Sequence, residues 1–489
     1  FKLNAYLGPL ADNGGFTKTH ALTPYSPAIN AGIATSAPFT DQRGFARPYG
    51  GAVDIGAYEL HAFYVSADFG NDANDGMSLG KAFKTIAKGI AAAGNGGLLF
   101  IGGGTYKESL VVNKNITIQG GGAGQTIIDG QQLNRVFDIP GGVSVSLKEL
   151  TVTGGKAPSG QNGGGISNGG TLSLDECVVT GNMSDAINNG GTLTINRSTI
   201  SGNSGLGILN AFGPLTVTNS TIIGNEIKSQ DAIVTFTNVT ISDGAIRNLA
   251  GFGTATVNLR NCTVKGGGLF NEKGGAGVAA NFLLRNTILA GTSLSGVFAS
   301  EGSNLASDSG GGFLTAPSDL INKDPKLGPL ANNGGPTQTH ALLRGSPAID
   351  AGGGYLQRPE TDQRGLAREK DGNGDGLLAV DIGAYELSYR FVNVATGNDN
   401  NHGQTAASPH KTLARAIDVA GDGEVLILAA GTYPENNLEI YKALSLEGTG
   451  ARQTIIDGQQ LNRVFSIYPR GLNISFSKLT IKNGKAPAS

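Results

Sequence analysis

From residue 145 to residue 291 the chain alternates apolar and polar side chains in short runs: VSLKELTVTGG, LSLDECVVTGN, LTINRSTISGN, LTVTNSTIIGN, VTFTNVTISDG, VNLRNCTVKGG and FLLRNTILAGT. Period-two alternation puts successive side chains on opposite faces of a strand, so each run predicts a half-buried β-strand. The runs begin at 145, 172, 193, 215, 234, 257 and 282. A unit that returns every 23 residues or so, about one strand-and-turn circuit, is one coil of a β-solenoid. Positions 1, 3 and 8 of each run are almost always Val, Leu, Ile or Phe, so they face the core. Position 5 is Asn at 219, 238, 261 and 286, a residue that tolerates left-handed backbone at a sharp corner. Stacked coils align such amides into a ladder. At the usual strand spacing these coils span roughly 30 Å.

A longer repeat contains the short one. The run QTIIDGQQLNRVF occupies residues 125–137 and again 453–465, and LGPLADNGG at Leu7 is matched by LGPLANNGG at Leu327. That second match continues through THAL (Thr19, Thr339), SPAI (Ser26, Ser346), TDQRG (Thr40, Thr361) and DIGAYEL (Asp54, Asp381). The module is about 325 residues long. Residues 1–62 read as the C-terminal part of a preceding module, 63–387 as a complete module and 388–489 as the N-terminal part of a following one. Both ends fall inside modules, so the expectation is a window on a longer tandem array. Only His61, Ala62 and residues 388–390 lie between modules, which predicts short, stiff joints.

Composition fits this picture. Glycine is 78 of 489 residues, charged residues are 15% and tryptophan is absent, as in a turn-dense all-β protein. With 36 basic and 38 acidic residues, net charge −2, the chain has no electrostatic reason to bind nucleic acid or an anionic membrane. It contains no apolar stretch of about 18 residues that spans a membrane. Phe1, Lys2, Leu3 and Asn4 do not read as a signal peptide, so an export signal or anchor is expected outside this segment. Cys177 and Cys262 share position 6 of coils four apart, roughly 19 Å at the same spacing, beyond disulfide reach. They are expected as small buried core residues.

The runs FYVSADFGNDANDG, AFKTIAKGIAAAG, GGTYKESLVV and ITIQGGG resemble the opening of pectin-lyase-like right-handed β-helix proteins, and the resemblance returns from Phe391. It implies a helix over residues 82–93, with Phe83, Ile86, Ala87 and Ile90 on one face, that plugs the first coil of each module. The stretch LGPLANNGGPTQTHALLRGSPAIDAG, with TDQRGLAR and DIGAYEL, is similar to the choice-of-anchor Q domain proteins, bacterial surface β-helix proteins. The fold class is therefore all-β, right-handed parallel β-helix modules in tandem, each with an N-terminal capping helix. The resemblance further implies secretion to the cell surface and no assigned enzymatic activity.

Fold alone does not decide chemistry, since polysaccharide lyases share this one. A lyase needs carboxylates gathered on one face and a base for the α-proton. Here Glu149, Asp175, Glu176, Asp185, Glu226, Asp231, Asp243 and Glu272 are scattered over coil positions, and only Glu149 and Glu176 share one in adjacent coils. No catalytic residue is assigned. Arg260 and Arg285 stack at position 4 and read as a solvated corner pair, with an acidic-glycan contact as the alternative. His20 and His340 sit at matched THAL positions and read as structural. Asp371, Asn373 and Asp375, in DGNGDG, resemble the first half of a calcium loop, with Asp381 as a further ligand. The loop lacks the closing Glu and has no counterpart at residues 47–51, so calcium is a candidate ion that no module requires. Asp68, Asp72 and Asp75 read as a turn, and the Asn-corner sequons carry no glycosylation signal in a bacterial product. Three functions stay open: a surface fibre or stalk built from copies of the module, joined covalently or head to tail; an adhesin binding polysaccharide through its faces; and, with least support, a glycan lyase or hydrolase.

Overall fold

Each alternating run is a strand, and each strand lies parallel to and in register with the same run one coil away. The computed structural model describes residues 5–486 except 12, 14, 24, 25, 50, 51, 355–357, 374, 376 and 469–471, together with the side chain of Ser36. Phe1 to Asn4, Gly50, Gly51, Gly374 and Gly376, named above, lie outside the described residues. The chain divides into two compact units, Phe1–Leu193 with Asn203–Gly205, and Thr194–Gly202 with Leu206–Ser489, a division that does not follow the repeat boundaries at 62 and 387.

In the first unit, strands Ala62–Val65, Gly97–Ile101, Ile116–Gln119, Ser144–Lys148 and Thr171–Asp175 form one parallel sheet. Gly104–Tyr106, Thr126–Asp129, Thr151–Thr153 and Val178–Thr180 form a second, and Leu110–Val111, Phe137–Ile139, Ile166–Asn168 and Ile187–Asn189 a third. The second unit repeats the arrangement, with Leu215–Thr218, Ile233–Thr237, Ala255–Arg260 and Ala280–Arg285 in the first sheet. Both are parallel β-solenoids, built from the crossover that right-twisted strands make right-handed. Register is one-to-one: Val145 and Leu147 face Leu172 and Leu174, and Val234 and Phe236 face Val257 and Leu259. The core is these stacks. Val145, Leu147, Val152, Val257, Leu259 and Val264 are all at most 3% exposed.

The corner after each first strand is left-handed, with φ of 51° at Asn219, 55° at Asn238, 53° at Asn261 and 50° at Asn286. Glu149, Glu176 and Arg197 hold the same conformation in the coils that lack Asn. The amide ladder forms in part: Asn238 Nδ2 donates to Asn219 Oδ1 at 3.1 Å and Asn219 Nδ2 to Asn196 Oδ1, one residue before its corner, at 3.1 Å, whereas Asn286 Nδ2 donates to the Asp381 carbonyl. A second ladder, inside the core, is not visible in the pattern. Asn168 donates to Asn189 at 2.6 Å and Asn248 to Asn271 at 2.8 Å, each at a buried position that the alternation assigns to an apolar residue. Cys177 and Cys262 are buried and form no disulfide, and burial pushes both thiols up to about 12.

The expected helix over 82–93 is shorter, Ile86–Ala92, because the Thr85 hydroxyl accepts from the Lys88 amide and starts it there. Phe83 lies before the helix in a bridge to Val65, Ala87 faces solvent, and Gly89 takes the buried place beside Ile86 and Ile90. A Cβ on Gly89 meets side-chain atoms of Leu99 and Val65 at 2.8 to 3.1 Å, so a larger residue there makes those side chains give way; the second helix has the buried Ala416 at the matching place. Asp72 accepts from the Lys84 and Thr85 amides and Asp75 from the Met77 amide, so that loop is indeed a set of turns. The Glu108 carboxylate accepts from the Ile86 and Ala87 amides. Glu435 and Asp399 repeat these bonds at the helix Leu413–Val419.

The corner makes a sharp test. Asn238→Ala removes the ladder amide and the acceptor for Arg368 and strains a left-handed position, and is expected to cost about 2 to 3 kcal/mol. Asn238→Gly, which accepts the backbone but not the hydrogen bonds, is expected to cost about 1 kcal/mol less. Urea midpoints of the two variants measure the difference, and equal midpoints count against the backbone part of the argument.

Candidate functional site

The residues of SPAI, TDQRG and DIGAYEL occur twice, and each time they build the same buried charge cage. In the second unit, Arg364 pairs with Asp362 at 2.7 Å, donates to the Glu386 carbonyl and lies 3.7 Å over the Tyr385 ring. Arg368, fully buried, pairs with Glu386 at 3.2 Å and donates to the Gly383 carbonyl at 2.8 Å. Asp381 accepts from the Asp350 amide at 2.8 Å and the Leu387 amide at 2.6 Å. In the first unit, Arg43 pairs with Asp41 at 2.6 Å and lies 3.6 Å over Tyr58, and Arg47 meets Glu59 at 3.3 Å. Asp54 there accepts from the amides of Asn30 and Leu60. Each cage folds an otherwise irregular segment onto itself, and removing one partner leaves a buried charge at a cost of about 3 to 5 kcal/mol.

The segment 327–387 then lies along the stacked coils of its own unit. Thr221, Thr240 and Thr263 are in register one above the other and form a hydroxyl ridge. Gln363 straddles it, accepting from Thr240 at 2.6 Å and donating to Thr221 at 2.9 Å. The Ala384 amide donates to Thr263 at 3.0 Å, Arg368 to Asn238 at 3.0 Å, and Asn286 to the Asp381 carbonyl at 3.1 Å. His340 is indeed structural, its ring nitrogens 2.9 Å from the Gly328 carbonyl and 3.2 Å from the Ser242 hydroxyl. Burial holds its pKa below the usual histidine value.

Of the four candidate calcium ligands, Asp371, Asn373 and Asp375 lie together in one loop, and Asp381 accepts two backbone amides in the cage. The Asp375 amide donates to both Asp371 and Asn373, and Asp375 accepts from Leu377, so these oxygens close Asx turns. Among the described residues no group of three or more His, Cys, Asp and Glu side chains is arranged to hold a metal ion. Arg260 and Arg285 are register partners, as expected, and Arg285 meets Glu301 at 3.3 Å.

A groove of about 680 Å³ opens where residues 6–60 meet the first coil that follows them. Tyr49 and His61 stack at 4.1 Å on its wall, Phe63 stands edge-on to Tyr49 at 6.2 Å, and Lys148 reaches it from the sheet. Among the described residues its lining includes neither Asp nor Glu. At the matching place in the second unit the space is about 160 Å³. There Arg390 and Glu424, 2.6 Å apart, stand where the first unit has Phe63 and Gly97. No residue pattern announces this groove, because its aromatics come from a joint, where no periodicity exists. Tyr441 and Tyr468, the aromatic candidates that a coil pattern does expose, stack at 5.7 Å and are 58% and 47% exposed.

Residues 395–446 match a family described as "Protein of unknown function (DUF1565)". No curated protein sequence matches the chain. Among solved structures the chain is similar to pectate lyase Pel9A, at 15% identity and a TM-score of 0.43, over 67% of this chain and 97% of that one. It is also similar to the pectin methylesterase from Aspergillus niger, at 15% identity and a TM-score of 0.31, over 52% of this chain and 87% of that one. A rhamnogalacturonan lyase gives 15% identity and a TM-score of 0.31 over 50% of this chain and 73% of that one.

The cage carries a pH signature. Burial raises Asp381 to about 7 and raises Glu386 as well, with Arg368 the cation facing both and Asp350 a further acid beside Asp381. A carboxyl whose pKa is higher folded than unfolded adds stability below the folded value and withdraws it as pH rises through it. The melting temperature is therefore expected to fall from about pH 4 to about pH 7 and to level off above that, with a slope of at most about 1.4 kcal/mol per pH unit for one proton. Asp381→Asn is expected to flatten that slope; a flat profile in the unmodified chain contradicts the assignment.

Proposed function

We propose that the chain is part of an extracellular, non-catalytic array of parallel β-helix modules in tandem, serving as a surface fibre or stalk. The observation that carries this reading is the two-sided packing of segment 327–387. One side holds the Thr and Asn ridge of the coils before it. The other shares a core with the coil after it, where Leu342, Ala348, Tyr385 and Leu387 pack with Tyr389, Phe391 and Val425. In the first unit Leu22 and Leu60 pack likewise with Ala62, Tyr64 and Phe100. A module boundary crossed by a continuous apolar core resists bending, as a stalk requires. In this reading the helices Ile86–Ala92 and Leu413–Val419 cap the first coil of each module. The choice-of-anchor Q resemblance of the closing segments supports a cell-surface setting.

The competing reading, polysaccharide binding, is favoured by the aromatic groove and by the exposed Tyr441 and Tyr468 pair. Sugar rings stack their C–H faces on such side chains, and Lys148 suits a uronate. Among the described residues the groove lining holds no carboxylate to serve as the acid and base of a glycosidase, so we favour binding over cleavage.

Two experiments separate these readings. Electron microscopy of the intact polypeptide is expected to show rods of uniform width with one axial repeat per module; beads on flexible strings contradict the array. Affinity electrophoresis in gels containing polygalacturonate or alginate tests the second. Retardation that Tyr49→Ala lowers at least about fivefold, roughly 1 kcal/mol, supports it, and no retardation in either gel rejects it.

A further inference from the structure

The nine residues AVDIGAYEL occur twice, at 52–60 and at 379–387, in one fold and two environments. In the later copy Ile382, Gly383 and Ala384 are buried against the threonine ridge, whereas Ile55, Gly56 and Ala57 are exposed. The contrast is largest at the isoleucine, 57% exposed at position 55 and 0% at 382. The pattern extends along the whole face: Thr17, His20 and Gln42 are exposed, and their counterparts Thr337, His340 and Gln363 are buried.

The exposed copy is nevertheless already shaped for a partner. Gln42 makes the bonds internal to its segment, donating to the Thr17 hydroxyl at 2.8 Å and the Lys18 carbonyl at 3.3 Å, as Gln363 does to Thr337 and Gln338. His20 keeps its bond to the Gly8 carbonyl at 2.8 Å. Arg47 keeps Glu59 and the Gly56 carbonyl, but among the described residues it has no counterpart of the Asn238 amide that Arg368 meets. Gly56 and Gly383 share a positive φ, 116° and 108°. A Cβ on Gly383 comes within 2.8 Å of Thr263 and Ile288, so glycine there permits close approach to the ridge. A Cβ on Gly56 meets nothing within 4 Å.

We infer that the face formed by Thr17, His20, Gln42, Ile55 and Gly56 is the docking surface for a stack of at least three β-helix coils lying N-terminal to it in the same polypeptide. Those coils present a threonine at the place of Thr221, Thr240 and Thr263 and a corner asparagine at the place of Asn238. A second copy of this chain does not offer that surface, because its ridge is already engaged by its own residues 327–387. The inference deepens the array reading and rests on it for the direction of the chain.

The test appends residues 63–320 directly before Phe1, which restores the spacing found between the ridge and Leu327. Hydrogen exchange of the amides at 17–22, 42–44 and 53–57 is expected to slow at least about tenfold relative to the unextended chain. Thr240→Lys with Thr263→Lys in the appended copy is expected to abolish that gain, and Gln42→Ala to reduce it while leaving the unextended chain nearly unchanged. Unaltered exchange at these amides, with the appended coils themselves protected, overturns the inference. So does a concentration-dependent dimer of the unextended chain that protects the same amides. X-ray scattering of the extended chain reads the array separately: protected amides in particles that bend at the joint sink the stiff array and leave the docking surface standing.

Discussion

In-register parallel stacking places every side chain directly on the same position of the next coil. A residue type chosen once is therefore chosen for a column, and a column has properties that one residue lacks. Valine and leucine columns make a core without long-range design. Asparagine columns bond amide to amide, as Asn238 does to Asn219. Threonine columns make a ridge of hydroxyls at strand spacing that a single glutamine, Gln363, can bridge. The fold, the closing segment and the docking surface all follow from that constraint.

The closing segments solve the difficulty that stacking creates. A solenoid has a flank and two ends, and its ends expose unpaired strand edges. The irregular segments have little regular structure of their own, so buried ion pairs hold them together, Asp362 with Arg364 and Arg368 with Glu386. Such pairs are a poor source of net stability but fix one geometry. Here the geometry presents a glutamine, a histidine and a glycine to the flank and tyrosine and leucine side chains to the following coil. One structural device thus serves two neighbours, which is what an array needs at every joint.

Much of this was legible in the residues. The core positions, the left-handed asparagine corners, the buried and unbridged cysteines and the structural histidines follow from period, position and spacing. What was not legible has physical reasons. The helix begins at Ile86 instead of residue 82 because the Thr85 cap, a local hydrogen bond, outweighs the apolar pattern around Phe83. The buried Asn168 and Asn248 ladders break the apolar rule because each amide finds its partner in the neighbouring coil, outside any window of sequence. Asp381 accepts two backbone amides in the cage, bonds that no spacing announces. The groove beside Tyr49 depends on Gly97 where the other copy has Glu424, a difference whose consequence appears only when the joint is folded.

The identical nonapeptide in two settings permits a direct measurement on the unmodified chain. Hydrogen exchange followed by mass spectrometry, on peptides whose flanks distinguish residues 52–60 from 379–387, compares one sequence with itself at one pH. The account predicts that the Ile382, Gly383 and Ala384 amides exchange at least about a hundredfold more slowly than those of Ile55, Gly56 and Ala57. Equal rates in the two copies would contradict it, because the ridge would then contribute nothing to holding the closing segment in place.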